Sequence, residues 1–503
     1  MVKLSRFKEL GAHSLRLSDV TIVMKKAMGF SRMLEKDPHY GKPLKIIKGG
    51  LGDPTLFGFK SPRRLKKKLQ EAVNEEAPYT DSIGFPPLLE ELSYGGLHVE
   101  KGKVVSSYKL EHGKDAFIFV GPGSSGVVRA YKQIVGGGKK TKVIDFVPEL
   151  TYPMFVAESS NVEADMVTVA INPETGVLDV NDLEKKMTKA IRKYGTQEQT
   201  RYMLNMTTIG NPLGSAMSVE IFDDITQLLK DIYQKSGVRI HRLIDPTYEP
   251  FRRDQSKRFD SVERIMKKDS SAIELVTGTF SKSACWLGER VGFAVLIANG
   301  SDGKFDRRKA FEHVDIYHAI TLGTVSIYSQ MAIAKWLNEI RTSPEAFEEE
   351  QERQLSMRKE VNGRVEHFAK TIASMDEAWL HSFFYPDGTG NGFDTEKLNS
   401  FYVLWRFRFD RQEISQAALF AEWTLYRALE EIKGYGEQRT PVVLMNDGDM
   451  FFARTFRNNV PQYIRTVALV DNHTSSIILN LIKEFGGMSN GTPPKHPEPS
   501  YPF

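Results

Sequence analysis

The sequence predicts an α/β protein whose larger part is a mainly parallel sheet covered by helices on both faces. Three observations lead there. The chain has 503 residues, 41% hydrophobic and 26% charged, the balance of a globular chain rather than a disordered, collagen-like or coiled-coil one. Between about residues 115 and 300, short runs that are apolar at nearly every position alternate with longer stretches of helical spacing. Strands of that kind are buried on both faces, so helices must lie above and below the sheet.

Taken in order, residues 1–48 are mixed and basic, and KGGLGDPTLFG then forms a Gly/Pro-punctuated turn. SPRRLKKKLQEAV reads as a helix in which Ser61 can cap, Pro62 sits in the first turn, and Leu65, Leu69 and Val73 keep helical spacing. Its basic run, Arg63, Arg64, Lys66, Lys67 and Lys68, fits a solvated face. The strand candidates are 116–120, 142–147, 166–171, 201–206, 239–245, 272–278 and 291–298, with helices such as SVEIFDDITQLLKDIYQKSG between them. SIYSQMAIAKWLNEI and the charged stretch 347–375 predict long helices leading away from the sheet, and residues from about 380 to 485 mix short strands with helices, as in a smaller α+β domain. The expected division is 1–56, an amino-terminal segment; 57–335, the large domain; 336–485, the small domain; and 486–503, a proline-rich mobile tail.

Composition narrows the partners. Lys+Arg 68 against Asp+Glu 64 leaves +4, too little for a general attraction to nucleic acid or membranes, so small molecules are the expected ligands. No run approaches the roughly 20 apolar residues of a membrane span, and MVKLSRFKEL leads into polar sequence rather than an apolar signal core. The single cysteine, Cys285, permits no internal disulfide and no thiolate metal site, which fits a cytoplasmic, reducing compartment. In that setting the sequons at Asn205, Asn299, Asn472 and Asn490 are chance matches.

Four segments carry candidate chemistry. VGPGSSGVVRAYKQIV follows a strand and opens a helix, placing the amides of Ser124 and Ser125 where a phosphate is favoured; simple strand-to-helix topology uses the same turn. IGNPLGSAMS puts Asn211 in a turn between a strand and a helix, also an ordinary place for such a sequence. In RLIDPTYEPF, Asp245 ends a buried strand with Tyr248 three residues on. That carboxylate needs either a cationic ligand or a helix end to cap. In TGTFSKSACWLGERVGF, Lys282 lies among small and apolar residues that can desolvate an amine and make it nucleophilic, and Arg290 follows eight residues later.

In this order the four segments resemble the fold-type I pyridoxal-phosphate enzymes, specifically the class I/II aminotransferase family, from about Gly49 to Arg465. The resemblance implies a seven-stranded sheet in the large domain, a small domain built from both chain ends, and pyridoxal 5'-phosphate as cofactor. Lys282 looks like the lysine that carries the cofactor and moves the α-proton, and Asp245 like the carboxylate paired with its ring nitrogen. Tyr248 and Asn211 look like the pair at its phenolic oxygen. Ser124, Ser125, Ser281 and Arg290 resemble the phosphate cup, and Tyr152, in PELTYPMF, the ring-stacking aromatic. Gly52, in GLGDPTLFG, matches a glycine lying against substrate, and Arg465, rather than Arg454 or Arg457, resembles the clamp on the substrate α-carboxylate. Tyr79 stands five residues before Gly84, like the tyrosine that reaches the neighbouring subunit's cofactor phosphate, which implies a homodimer with shared sites.

There are departures. The glycine turn reads G-P-G-S-S-G, Ala284-Cys285-Trp286 replaces the family's usual residues, and AITLGTVSIYSQ offers no second arginine for an acidic side chain. The expected activity is transfer of an amino group between an amino acid, apolar or aromatic by preference, and a 2-oxo acid. Decarboxylation or β/γ-elimination on the same scaffold is the alternative, since a fold does not set the reaction.

Overall fold

The structure is a computed structural model that describes residues 19–37, 40–77, 80–136, 141–172, 174–195, 200–268, 273–298, 312, 315–316, 325–375, 380–382, 398–407, 415–447 and 464–488. Two compact units divide the chain: Asp53–Gly210 with Ser215–Glu360, and Met1–Gly52 with Asn211–Gly214 and Val361–Phe503.

The larger unit is built on seven strands: β1 (Phe117–Pro122), β2 (Lys142–Pro148), β3 (Asp165–Val169), β4 (Thr200–Thr207), β5 (Ile240–Asp245), β6 (Ile273–Thr279) and β7 (Val291–Ala298). Their order is β1-β7-β6-β5-β4-β2-β3. All neighbours run parallel except β7, which is antiparallel to both β6 and β1. Alternation along each strand sends side chains to opposite faces. Ile118, Val120, Ile144, Phe146, Leu204 and Met206 enter one apolar cluster, while Phe117, Phe119, Val143, Met203, Leu243 and Leu275 enter another. This is why the strands read as unbroken apolar runs. Asn205 is fully buried in β4, where no glycan could be attached to the folded chain.

Helices α1 (Arg63–Val73), α2 (Gly123–Gly136), α3 (Pro153–Asn161), α4 (Val180–Tyr194), α5 (Val219–Ser236) and α6 (Ile327–Thr342) belong to the same unit. Local signals set their ends: Asp179 accepts from the Asp182 amide at the start of α4, Ser218 from the Ile221 amide at the start of α5, and Gly237, at φ +70°, stops α5. At α1 the expectation fails. Pro62 occupies the capping position, and the Ser61 hydroxyl donates instead to the Cys285 carbonyl at 2.9 Å. The basic run of α1 does face solvent, with Arg63, Lys66 and Lys67 exposed, while Arg64 pairs with Glu339 and, at 2.7 Å, with Glu349.

The smaller unit holds an antiparallel sheet of β8 (Leu380–Ser382), β9 (Tyr402–Phe407), β10 (Asn446–Asp447) and β11 (Ile464–Val467), ordered β8-β9-β11-β10. Ile46–Ile47 pairs in parallel with Val442–Val443, so both halves of the sequence contribute to it. Among the described residues no helix is long and apolar enough to cross a membrane, and no group of His, Cys, Asp or Glu could hold a metal ion.

Candidate active site

Because β7 runs against its neighbours, its first residues meet the last residues of β1 and β6: Val291 lies opposite Pro122, and Gly292 opposite Thr279. The carboxyl ends of parallel strands are the usual ligand edge of such sheets, and most of the candidate residues stand there.

Gly123, at φ +71°, turns the chain from β1 into α2, and its amide donates to the Arg290 carbonyl at 2.8 Å. A Cβ on Gly123 would lie 2.7 Å from an Arg290 guanidinium nitrogen, and one on Gly292 would lie 2.3 Å from the Gly123 carbonyl carbon and 2.6 Å from the Ser124 nitrogen. The turn therefore rests directly on β7 with the guanidinium over it. Arg290 itself has φ +53°, a conformation that disfavours side chains and that often marks functional positions. Ser281 is buried, with its hydroxyl 3.0 Å from Thr279 Oγ1, and Ser125 Oγ stands 3.5 Å from the Tyr152 hydroxyl. Free amides at the start of a long helix, a guanidinium and serine hydroxyls can together hold a phosphate.

Asp245 ends β5 in a buried position and accepts the Thr247 amide at 3.0 Å. Burial pushes its carboxyl above the usual range, while the hydroxyls and amide of Thr247 and Thr277 and the Lys282 ammonium pull it back. A cationic ligand group would settle the charge. Lys282 lies in the turn Phe280–Ser283 directly after β6, and Tyr248 is buried at the turn following β5. That lysine turn is pinned from outside: Arg353 donates to the Ser283 carbonyl at 2.8 Å, Ser61 to that of Cys285, and Cys285 holds φ +51°. Thr247, Thr277, Arg353 and the role of Ser61 were not singled out by sequence reasoning. Arg353 stands 70 residues from its partner, and no spacing rule could have found it.

In the smaller unit Arg465, buried on β11, donates to Asn211 Oδ1 at 2.9 Å and to the Gly50 carbonyl at 2.5 Å. Its guanidinium lies 4.5 Å above the Tyr402 ring, and a Cβ on Gly52 would meet the Tyr402 hydroxyl at 2.3 Å. Gly52, Asn211 and Arg465 are thus one cluster, organised by Tyr402, which was also not anticipated. Tyr79, Arg454 and Arg457 lie outside the described residues.

The sequence profile described as Aminotransferase class I and II matches residues 45–387. The chain belongs to that family. Among curated relatives, the alanine aminotransferase of Mycobacterium tuberculosis (strain ATCC 25618 / H37Rv) is 25% identical over 253 residues, 49% of this chain and 50% of that protein. The match thus spans about half the length of such relatives. Among solved structures, the aspartate aminotransferase from Rhizobium meliloti aligns at TM-score 0.62 and 16% identity over 94% of this chain and 97% of that one. A Thermus thermophilus aspartate aminotransferase double mutant aligns at TM-score 0.63 and 15% identity over 96% and 100%. These structures share the fold.

Proposed function

We propose that this chain is a pyridoxal-phosphate-dependent aminotransferase, moving an amino group between an α-amino acid with an apolar or aromatic side chain and a 2-oxo acid. The observation that carries the reading is the strand-end cluster of the larger unit, where a glycine turn and Arg290 pack together, Ser281 lies at the adjoining strand end, and the buried Asp245 feels the charge of Lys282. The residues fit the cofactor: Gly123 and Gly292, because they lack Cβ atoms, let the turn, β7 and the Arg290 guanidinium pack together, and the donor set matches a phosphate while Asp245 matches a protonated ring nitrogen.

When bound, pyridoxal phosphate supplies the electron sink that makes the substrate α-carbon acidic. The protein supplies the rest. Ser124, Ser125, Ser281 and Arg290 would hold the phosphate, Tyr152 would pack against the ring, and Asp245 would keep the ring nitrogen protonated. Tyr248 and Asn211 would donate to the phenolic oxygen. Lys282 Nζ would hold the cofactor and would serve as the base for the proton at the substrate α-carbon. Arg465 binds the α-carboxylate as a planar fork, with Gly52 beside the substrate. We further propose a cytoplasmic homodimer in which Tyr79 reaches the neighbouring subunit's site, and a domain division close to 57–335 and 336–485.

The test is a screen of amino acids against purified protein loaded with pyridoxal phosphate, followed by visible absorbance. A good donor should yield its 2-oxo acid, with the nitrogen kept on the protein until a 2-oxo acid acceptor arrives. Carbon dioxide released in equal amount with product, or a protein that takes up no cofactor, would overturn the proposal.

A further inference from the structure

Beneath the strand-end cluster lies a buried charged network that the chemistry above does not use. Lys132, on α2, is fully buried, and its ammonium donates to Asp145 Oδ2 at 2.6 Å, to Ser159 Oγ at 2.7 Å and to the Phe155 carbonyl at 3.0 Å. Asp145, in the middle of β2, accepts at its other oxygen from Asn205 Nδ2 of β4 at 2.6 Å. Ser159 Oγ also lies 2.5 Å from Asp145 Oδ2. All three ammonium protons are placed, and the network joins two helices to two strands.

Such a pair is a poor device for stability alone. Taking both charges out of water offsets most of their attraction, and apolar residues of the same volume often do as well. Its position suggests another use. Lys132 stands seven residues after Ser125 on α2, and Ser159, on α3, stands seven residues after Tyr152, the residue that caps α3, about two helical turns in each case. The two helices therefore meet at two levels: Ser125 with Tyr152 at the ligand edge, and Lys132 with Ser159 below it. Two contacts separated along both helices set their mutual orientation, where a single contact would leave a pivot. Arg129 adds an outer contact to Glu158 at 3.1 Å.

We propose that Lys132, acting through Asp145 and Ser159, is a positioning residue that fixes the Ser124–Ser125 turn relative to the Tyr152 ring. The inference rests on the pyridoxal-phosphate reading of the site. Lys132 touches no reacting atom, and its effect is on how well the cofactor is held.

The test uses the full chain freed of cofactor and titrated with pyridoxal 5'-phosphate, following tryptophan fluorescence and visible absorbance. The double variant Lys132→Gln with Asp145→Asn removes both charges together, so no lone charge is left buried. Ser159→Ala, which keeps the ion pair, is the milder second variant should the first fail to fold. Met187→Ala, a core change in α4, which carries no site residue, is the control for loss of stability. The double variant should bind the cofactor about 10- to 100-fold more weakly, the range found for partners that orient the ligands of bound metal ions. Its visible band should shift, and Ser159→Ala should fall between it and the parent. Met187→Ala, though less stable, should bind as the parent does. Parent-like affinity and spectrum in the network variants, or equal weakening in Met187→Ala, would reduce the network to a structural role. A parent protein that takes up no cofactor would sink the functional reading, and this inference with it.

Discussion

Gly292→Ala tests the phosphate cradle with one methyl group. The added Cβ would stand 2.3 Å from the Gly123 carbonyl carbon, where ordinary contact begins at 3.4 Å, so one side must yield by 3.4 − 2.3 = 1.1 Å. The obstructing atoms are backbone on both sides, held by the β1–β7 ladder and by the Gly123 amide bond to Arg290. No side-chain rotation can relieve the clash. Overpacking of this kind costs about 1–3 kcal/mol, and a shift of about 1 Å in a binding group can lower function by roughly 100-fold. The loss should be specific to the phosphate. Titrating cofactor-free protein with pyridoxal phosphate and with pyridoxal separates the two effects: the parent should prefer the phosphorylated form strongly, and the variant should lose most of that preference while its affinity for pyridoxal changes little. Gly288→Ala, four residues away, adds a Cβ that meets nothing within 4 Å and should behave as the parent. A folded Gly292→Ala protein with an unchanged preference would mean that the turn on β7 is not where the phosphate binds.

Lys282→Ala should lower turnover by at least about 1,000-fold, the scale of losing a reacting base, while retaining cofactor uptake; parent-like turnover would remove Lys282 from the chemistry. Asp245→Asn should slow the loaded enzyme by roughly 10³- to 10⁴-fold, as when a proton is misplaced in other active sites. Its effect on the cofactor-free protein has a sign of its own. Burial raises the folded carboxyl above its unfolded value of about 3.9. The stability it contributes is thus full below that value and lost as pH rises through the raised one. The Asn variant lacks this loss, so its Tm relative to the parent should climb from pH 4 to pH 8; a flat or falling difference in thermal melts would contradict the burial argument. Arg465→Lys should weaken α-amino acids roughly 10- to 100-fold, since one ammonium cannot replace charge-assisted bonds made by a fork. Amines without a carboxylate should be affected far less in the same kinetic assay.

What the sequence made legible was whatever the backbone alone decides. A strand buried on both faces must be apolar throughout, so all seven large strands were visible as runs, and the glycines of the strand-to-helix turn were visible because only glycine fits there. Ser61 failed as a cap because the helix opens one residue later, with Pro62 at the capping position, which leaves the Ser61 hydroxyl to donate to the Cys285 carbonyl. Arg353, Thr277 and Tyr402 escaped notice because their partners come from distant sequence, and no periodicity links them.

The Lys132 network is a different kind of omission. An aspartate in the middle of KVIDFV and a lysine inside AYKQIV each break an apolar pattern, and a charge that the fold must bury needs a partner of opposite sign. Asp145 and Lys132 break their apolar segments as Arg242 and Glu274 break theirs, so the pattern marks four buried charges, and only the fold pairs Lys132 with Asp145 and Arg242 with Glu274. What sequence could not supply is that Tyr152, at the cap of α3, and Ser159 within it have the spacing of Ser125 and Lys132 on α2, because that match acquires meaning only once the two helices are known to touch. Charges that violate an apolar period therefore deserve the same scrutiny as motif residues: the violation marks where a fold keeps a costly interaction, and its neighbours show what that interaction holds in place.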